Sequence, residues 1–490
     1  MNLERKNFYG LSHLIQHILL YFGKFIENIS LHQMFNAKVI KDYFRNISDI
    51  ENLIERKLNK IDINRDAQNI NRYRKELEKL KKDFIITMID KASGNYAFTC
   101  KKLYLIFMEK EMNTNHTGER TYKPIDNLDY ESKIKDHLKF TLSMSLTRNL
   151  DCSLPRIYGI PKMHKTPIKF RFITGAHNSS LKPVSVQLQK ILKFLQNHFR
   201  RYCNIRSGRN GTNCYFSIQN TFKVINGLNT CHGQNNKIFC ADFASLFTNL
   251  PHKIVKEKIF YLVDLLFKNA HSEFINIQGN YVRYDKTNKI SKGITYHKND
   301  VKLMLEYILE NSYAFYGGTY YKQEKGIPQG NNVSPQIADL TLAVMEYQYV
   351  YDKIKNGHPL AFSLNKTYRY IDDLFHISDK TIDFIEITKE MYHDSLTLER
   401  TNEKNNECAF LDLQINIMID GKINTTLYNK TDDYQFNVIR YPHYKSNSPI
   451  RMGLNTLHGE IIRTFRNCSK LTDFEIRIKS MVKYFISIDY

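Results

Sequence analysis

The sequence predicts an α+β protein: a helical N-terminal extension, a middle built around an antiparallel sheet, and a basic, helical C-terminal end. Three observations carry that expectation. Apolar residues recur at helical spacing near the start, at Leu11, Leu14, Ile15, Ile18, Leu19, Phe22, Phe25 and Ile26. Short alternating stretches bounded by Gly, Pro, Asn or Asp fill the middle. Helical spacing returns at the end, now with dense arginine and lysine.

With 490 residues, of which 42% are apolar, the chain is long enough for a large core and several subdomains, and disorder is excluded. A net charge of +21 points to a polyanion, either nucleic acid or an anionic membrane, although a Lys-, Asn- and Ile-rich base composition also raises Lys. None of the 8 cysteines forms a Cys-x-x-Cys pair, so a zinc module is not expected and free thiols in a reducing, intracellular compartment are. There is no secretory signal. Leu11–Ile26 is broken by His13, Gln16, His17 and Lys24, which makes it a helix and not a membrane span.

Residues 1–85 read as helical and charged, with Arg72, Arg74, Lys75, Lys79, Lys81 and Lys82 either a solvated face or a grip on phosphates. From Phe84 the pattern becomes a hairpin with its turn at Ser93-Gly94-Asn95. Residues 110–150 read as helix and loop. In Pro155–Thr174, two short strands around Thr166-Pro167 place Lys162, Lys165, Lys169 and Arg171 on one face, as a surface hairpin or as a triphosphate clamp. Helices are expected over Leu181–Cys203, Lys253–Lys268 and Asp300–Tyr316, with a polar hairpin-like insertion at 270–300. Gly326–Gly330 forms a loop opening onto a helix, with Ser334 as its cap and Pro335 at its first position. A helix over Ile382–His393, strands at Leu396–Glu399, Phe410–Ile415 and Lys422–Leu427, and basic helices over Ile461–Arg466 and Phe474–Phe485 complete the chain.

Thr367–Phe375 reads strand, tight turn, strand, with Asp372 and Asp373 at the turn. Alone it is either a solvated turn or a site for a hard cation. Asp242 closes a second buried strand, so three carboxylates can meet in one sheet, a pattern suited to two-metal phosphoryl transfer.

The ordered series Arg156-Ile-Tyr-Gly-Ile-Pro-Lys162, Lys169-Phe-Arg-Phe-Ile173, Asp242-Phe-Ala-Ser-Leu-Phe247, Gly326-Ile-Pro-Gln-Gly330 and Tyr370-Ile-Asp-Asp373 resembles the motifs of reverse transcriptases. The resemblance is nearest to those of Penelope-like retroelements, a branch near telomerase. Ile89-Asp-Lys-Ala-Ser-Gly94, Tyr158–Lys165, Ser245–His252, Phe410-Leu-Asp-Leu413, Tyr428-Asn-Lys-Thr431 and Ser446-Asn-Ser-Pro449 carry this finer match, over about residues 85–470.

That resemblance implies a right-hand polymerase fold with these parts: helical extension 1–85; fingers and N-terminal hairpin region 86–235; palm 236–425 with an insertion at 270–320; helical basic thumb 426–490. It implies an RNA-directed DNA polymerase using an RNA template, a DNA primer and dNTPs, with Mg²⁺ or Mn²⁺, two ions per site. Asp242, Asp372 and the Phe243 backbone carbonyl would bind metal, with Asp373 an accessory acid. Lys162 and Arg171 would contact the triphosphate, Gln329 and Gly330 would line the nucleotide pocket, and Phe247 would be a steric gate against a 2′-hydroxyl. Lys165, Lys169, Arg451, Arg463 and Arg466 would hold nucleic acid through phosphates. No membrane partner is expected, protein partners are left open, and the expected compartment is nuclear or cytoplasmic.

The sequence departs from the family in three ways. Asn331-Asn332-Val333 precede Ser334-Pro335, Ala92-Ser93-Gly94 replaces a glycine run, and the GIY-YIG nuclease is absent from these residues. An endonuclease-free member, a host-tamed enzyme and a truncated copy all remain open. So do two other functions, a catalytically idle nucleic-acid-binding relic and an RNA-directed RNA polymerase.

Overall fold

The computed structural model describes residues 70–113, 120–147, 151–231, 236–286, 292–378, 383–446 and 448–489. The helical expectation for 1–69 lies outside the described residues.

Helix α1 (Ile70–Asp83) leads directly into a two-stranded antiparallel ribbon, β1 (Phe84–Ile89) and β2 (Ala92–Cys100). Its turn is at Asp90-Lys91, and not at Ser93-Gly94-Asn95 as expected. Residues 93–95 instead form a bulge between the Met88–Tyr96 and Ile89–Ala92 pairs. A tertiary contact explains the shift. The Asn95 side-chain amide donates to the Ile439 carbonyl at 2.7 Å and accepts from the Ile439 N–H at 2.9 Å. The Tyr434 hydroxyl donates to the Asp90 carbonyl, and Ile89 and Ala92 pack on Tyr434 and Val438. The ribbon is thus clasped by the far end of the chain.

Helices α2 (Lys101–Asn113) and α3 (Tyr130–Ser143) follow, separated by strand β3 (Tyr122–Ile125) in a stretch expected to be helix and loop. β3 joins a five-stranded sheet of order β3-β11-β10-β4-β5, where β4 is Arg156–Lys162, β5 Lys169–Gly175, β10 Tyr313–Tyr316 and β11 Thr319–Gln323. β4 and β5 are the expected pair around Thr166-Pro167. The helix expected over Asp300–Tyr316 ends at Glu310, because Tyr313–Tyr316 turns to pair with β11.

The long helix α4 (Lys182–Asn210), α5 (His252–Asn269), α6 (Lys298–Glu310) and α7 (Ser334–Lys355) surround the largest core, which includes Leu188, Ile191, Leu192, Leu262, Met304 and Leu340. The 270–300 insertion is a three-stranded sheet, β7 (Phe274–Gln278), β8 (Tyr281–Asp285) and β9 (Ile294–His297), in the order β8-β7-β9. It is not merely a polar surface, because Ile275, Ile277 and Tyr296 are buried in that core.

The central sheet has the order β12-β13-β6-β14, with β6 Lys237–Phe243, β12 Thr367–Tyr370, β13 Asp373–Ser378 and β14 Leu398–Arg400. A second antiparallel sheet, β15 (Glu407–Phe410), β16 (Leu413–Ile417) and β17 (Ile423–Leu427), packs beside it through Phe375, Phe410 and Ile415. The expected continuous strand Phe410–Ile415 is broken by a turn at Leu411-Asp412, with Leu411 left-handed at φ 57°.

The C-terminal helices are α8 (Ile450–Asn467) and α9 (Leu471–Ser487). Between β17 and α8 the described residues are mostly irregular, with a short 3-10 turn at Lys430–Asp433. The region 426–490 is therefore not helical throughout.

Candidate active site

Two adjacent strands place the acids. In the β6–β13 ladder Asp242 lies directly opposite Asp373, so both side chains leave the same face of the sheet. Asp372 occupies the two-residue β12–β13 turn behind Ile371, which is left-handed at φ 54°. The Phe243 N–H donates to the Asp372 carbonyl at 3.1 Å, tying the turn back to β6. Asp242 and Asp373 thus face each other across the ladder, with Asp372 in the adjoining turn.

Their electrostatics are strained. Burial, then the neighbouring Asp372 and Asp373, push the Asp242 carboxyl up to about 7, opposed by Lys91 and Lys162. Asp373 is also raised, by burial and then by Asp372, opposed by Lys430 and Lys91. Asp242 Oδ1 is buried with no hydrogen-bond partner. An orphaned oxygen among crowded carboxylates is a donor set for a hard cation. Among the described residues no three Asp, Glu, His or Cys side chains are grouped closely enough to hold a metal alone.

The expected pair of strands forms the β4–β5 hairpin. Lys162 pairs with Lys169, and Arg171 follows Lys169 by two residues, so all three share a face; Lys165 is exposed in the connection. Arg171 forms an ion pair with Asp90 at 3.3 Å. Burial lowers the Lys162 pKa, as does Arg171, while Asp90 and, more weakly, Asp242 oppose the shift.

The Gly326–Gly330 loop joins these parts. The Thr174 N–H, at the end of β5, donates to the Gln329 carbonyl at 2.7 Å. The Ile327 N–H donates to the Phe247 carbonyl at 2.6 Å. One loop thus bridges the cationic hairpin and the segment after Asp242. Both glycines are required by that closeness. A Cβ on Gly326 would stand 2.5 Å from the Phe247 carbonyl oxygen, and one on Gly330 would stand 2.4 Å from that of Thr174. Gly330→Ala, at φ +120°, is expected to destabilise the protein by about 2 kcal/mol or more. Thermal melting of the two proteins side by side checks it, and an unchanged melting temperature refutes the tight-approach reading.

Phe247 is half-buried against the main core, beside the site. Ser334 is the first residue of α7 and not its cap, which is Val333, and Pro335 is second; the Ser334 hydroxyl instead donates to the Pro328 carbonyl at 2.7 Å, fixing the loop.

The C-terminal arginines are less uniform than expected. Arg463 is already engaged, by Asp412 at 3.0 Å and Glu460 at 3.2 Å, and it fastens α8 to the β15–β16 turn. Arg466 lies over the Phe222 ring at 5.2 Å. Arg451 is exposed on the first turn of α8. Two lysines that the sequence reading did not assign, Lys91 and Lys430, do act on the acids. Both lie in stretches that carry the family resemblance, Ile89–Gly94 and Tyr428–Thr431, so a signal for them existed.

No protein-family model matches the sequence, and no curated protein matches it. Solved structures do. A telomerase from Candida albicans, solved with a fragment of telomeric RNA, superposes on 79% of this chain and 59% of its own with a TM-score of 0.51 at 13% identity. An apo telomerase from Candida tropicalis superposes on 84% of this chain and 67% of its own, with a TM-score of 0.50 at 11% identity. This chain thus spans about 59% of the length of the first of them. At such identities the likeness is one of fold alone: this chain shares the fold of those two telomerase chains over most of its length.

Proposed function

We propose that the protein is an RNA-directed DNA polymerase that extends a primer 3′-hydroxyl with dNTPs, from the Penelope-like branch of reverse transcriptases. In this reading the central sheet is the palm, the β4–β5 hairpin and its neighbours the fingers, and residues 426–490 the thumb. The observation that carries it is Asp242 facing Asp373 across the β6–β13 ladder beside Asp372, with Lys162 within electrostatic reach of Asp242.

Asp242, Asp372 and the Phe243 carbonyl would hold two Mg²⁺ or Mn²⁺ ions. When bound, the metal would lower the pKa of the attacking hydroxyl and neutralise charge on the leaving pyrophosphate. Lys162 and Arg171 orient the triphosphate, Arg171 through paired donors and Lys162 as a point charge. Gln329 and Gly330 form the wall beside the base, held by the bond to Thr174. Lys165, Lys169 and Arg451 offer cations to the template and primer phosphates, with sequence left to base pairing.

Phe247 supplies the sugar discrimination in this reading. Phe247→Ala is expected to raise ribonucleotide incorporation relative to dNTP by about 10- to 100-fold. Single-nucleotide extension on an RNA template, with dNTP and rNTP in parallel, measures it; a wild type that prefers rNTP refutes the assignment. The same assay tests the function itself. A template-directed, dNTP-dependent product lost in Asp372→Asn supports it, and no product on any template leaves a nucleic-acid-binding relic.

A further inference from the structure

The Asp90-Lys91 turn of the β1–β2 ribbon lies beside the candidate site and has no part in the chemistry above. Asp90 is 4% exposed. Its N–H donates at 3.1 Å to the Pro161 carbonyl, next to Lys162, and its carboxylate meets Arg171 at 3.3 Å. Lys91 takes the left-handed backbone at φ 61° and is exposed. It lines a cavity of about 440 Å³ with Tyr370, Asn429, Lys430 and Arg463.

Lys91 lies within electrostatic reach of both Asp242 and Asp373 on one side, and of Arg171 and Lys430 on the other. Lys162 and Arg171 repel it and each other. Four cations held this close by a partly buried framework are relieved by a ligand carrying several negative charges.

We propose that the Asp90-Lys91 turn belongs to the polyphosphate site: Lys91 contacts the phosphates of the incoming nucleotide, and Asp90 is a positioning residue that aims Arg171. The nucleotide identity rests on the polymerase reading; the polyphosphate does not. The clasp of Tyr434 on the Asp90 carbonyl gives the turn a fixed position from which to act.

The full-length chain with primer and RNA template is the test material. Lys91→Asn removes the charge while keeping a residue that tolerates a left-handed backbone, and Lys91→Gly serves if that variant melts early. Both should raise the dNTP KM about tenfold, the loss of one charge-assisted contact, with the Kd for primer–template unchanged within about twofold. Lys91→Arg should restore most of the loss. Asp90→Asn should raise KM more than it lowers kcat.

Calorimetric titration with inorganic tripolyphosphate needs no turnover, and there too the Lys91→Asn Kd should rise about tenfold. An unchanged tripolyphosphate Kd overturns the role of Lys91, as does a loss that appears only in duplex binding. A fall in kcat at constant KM overturns the role of Asp90. If no nucleotide is incorporated at all, the polymerase reading fails, while the tripolyphosphate titration still decides this one.

Discussion

Asp242→Asn is expected to abolish primer extension and, in metal-free buffer, to stabilise the fold. The two effects share a cause. Asp242 is held at about 7, against an ordinary 3.8, by burial and by the charges of Asp372 and Asp373. Between those two values the folded protein keeps a proton that the unfolded chain has released. The contribution of this group to stability therefore falls as pH rises from about 4 to about 7, and stays low above that. Asparagine removes the penalty. At pH 8 the variant should gain on the order of 1–3 kcal/mol, less than the full shift implies because the carboxylate is partly exposed. Primer extension should fall by about a thousandfold or more, since the metal site contributes several kcal/mol of transition-state stabilisation. Melting curves at pH 5 and pH 8 without metal, run beside extension assays, check both. A variant less stable than wild type at pH 8, or one still active, would show that Asp242 is an ordinary strand-end residue.

Arg369→Met is the second large effect, this time on stability. Arg369 is fully buried in β12, two residues before the turn that carries Asp372. Its guanidinium bonds Asp339 at 2.8 Å, both carboxylate oxygens of Glu346, and the Ile371 carbonyl at 3.0 Å. Ser217 donates to Asp339 at 2.8 Å and Tyr392 to Glu346 at 2.8 Å, so the network is closely satisfied. Burial raises the Glu346 pKa and the Arg369 charge opposes that rise. Removing the cation leaves two buried acids without their main partner and should cost about 3–5 kcal/mol. Replacing all three residues with apolar ones should recover much of that loss. Urea denaturation of the single and triple variants measures both. The triple variant still lacks the bond to the Ile371 carbonyl, so its activity should stay low after its stability returns.

Much of the site was legible because its signals are local. Ile238–Ala241 reads as a strand, and it delivers Asp242 to its end; Tyr368 and Tyr370 alternate into the turn that holds Asp372. The β4–β5 pair was likewise marked by Thr166-Pro167 and alternating Lys and Phe. What escaped was fixed by distant partners. Arg369 has the alternation of an outward strand residue, but α7 brings Asp339 and Glu346 to it and buries it. Tyr313–Tyr316 continues a helical pattern and becomes a strand only because β11 and β4 are there to pair with it. Glycine placed the first hairpin turn at residue 94, whereas the Asn95–Ile439 contact holds that segment as a bulge and leaves the turn to Lys91.

That same clasp has a temporal side. Asn95 and Ile439 are 344 residues apart. At a synthesis rate of roughly 5–20 residues per second, the ribbon emerges tens of seconds before the segment that fastens it. During that interval Ile89 and Ala92 lack Tyr434 and Val438 and have only Ala97 and Met163 to pack on, while Met88, Tyr96 and Phe98 are exposed even in the finished protein. The nascent ribbon is therefore a strand pair whose apolar residues are less covered than in the finished protein. The Lys91 turn is anchored early by the Pro161 carbonyl and Arg171, and the Tyr434 clasp is added only when the last part of the chain has been made.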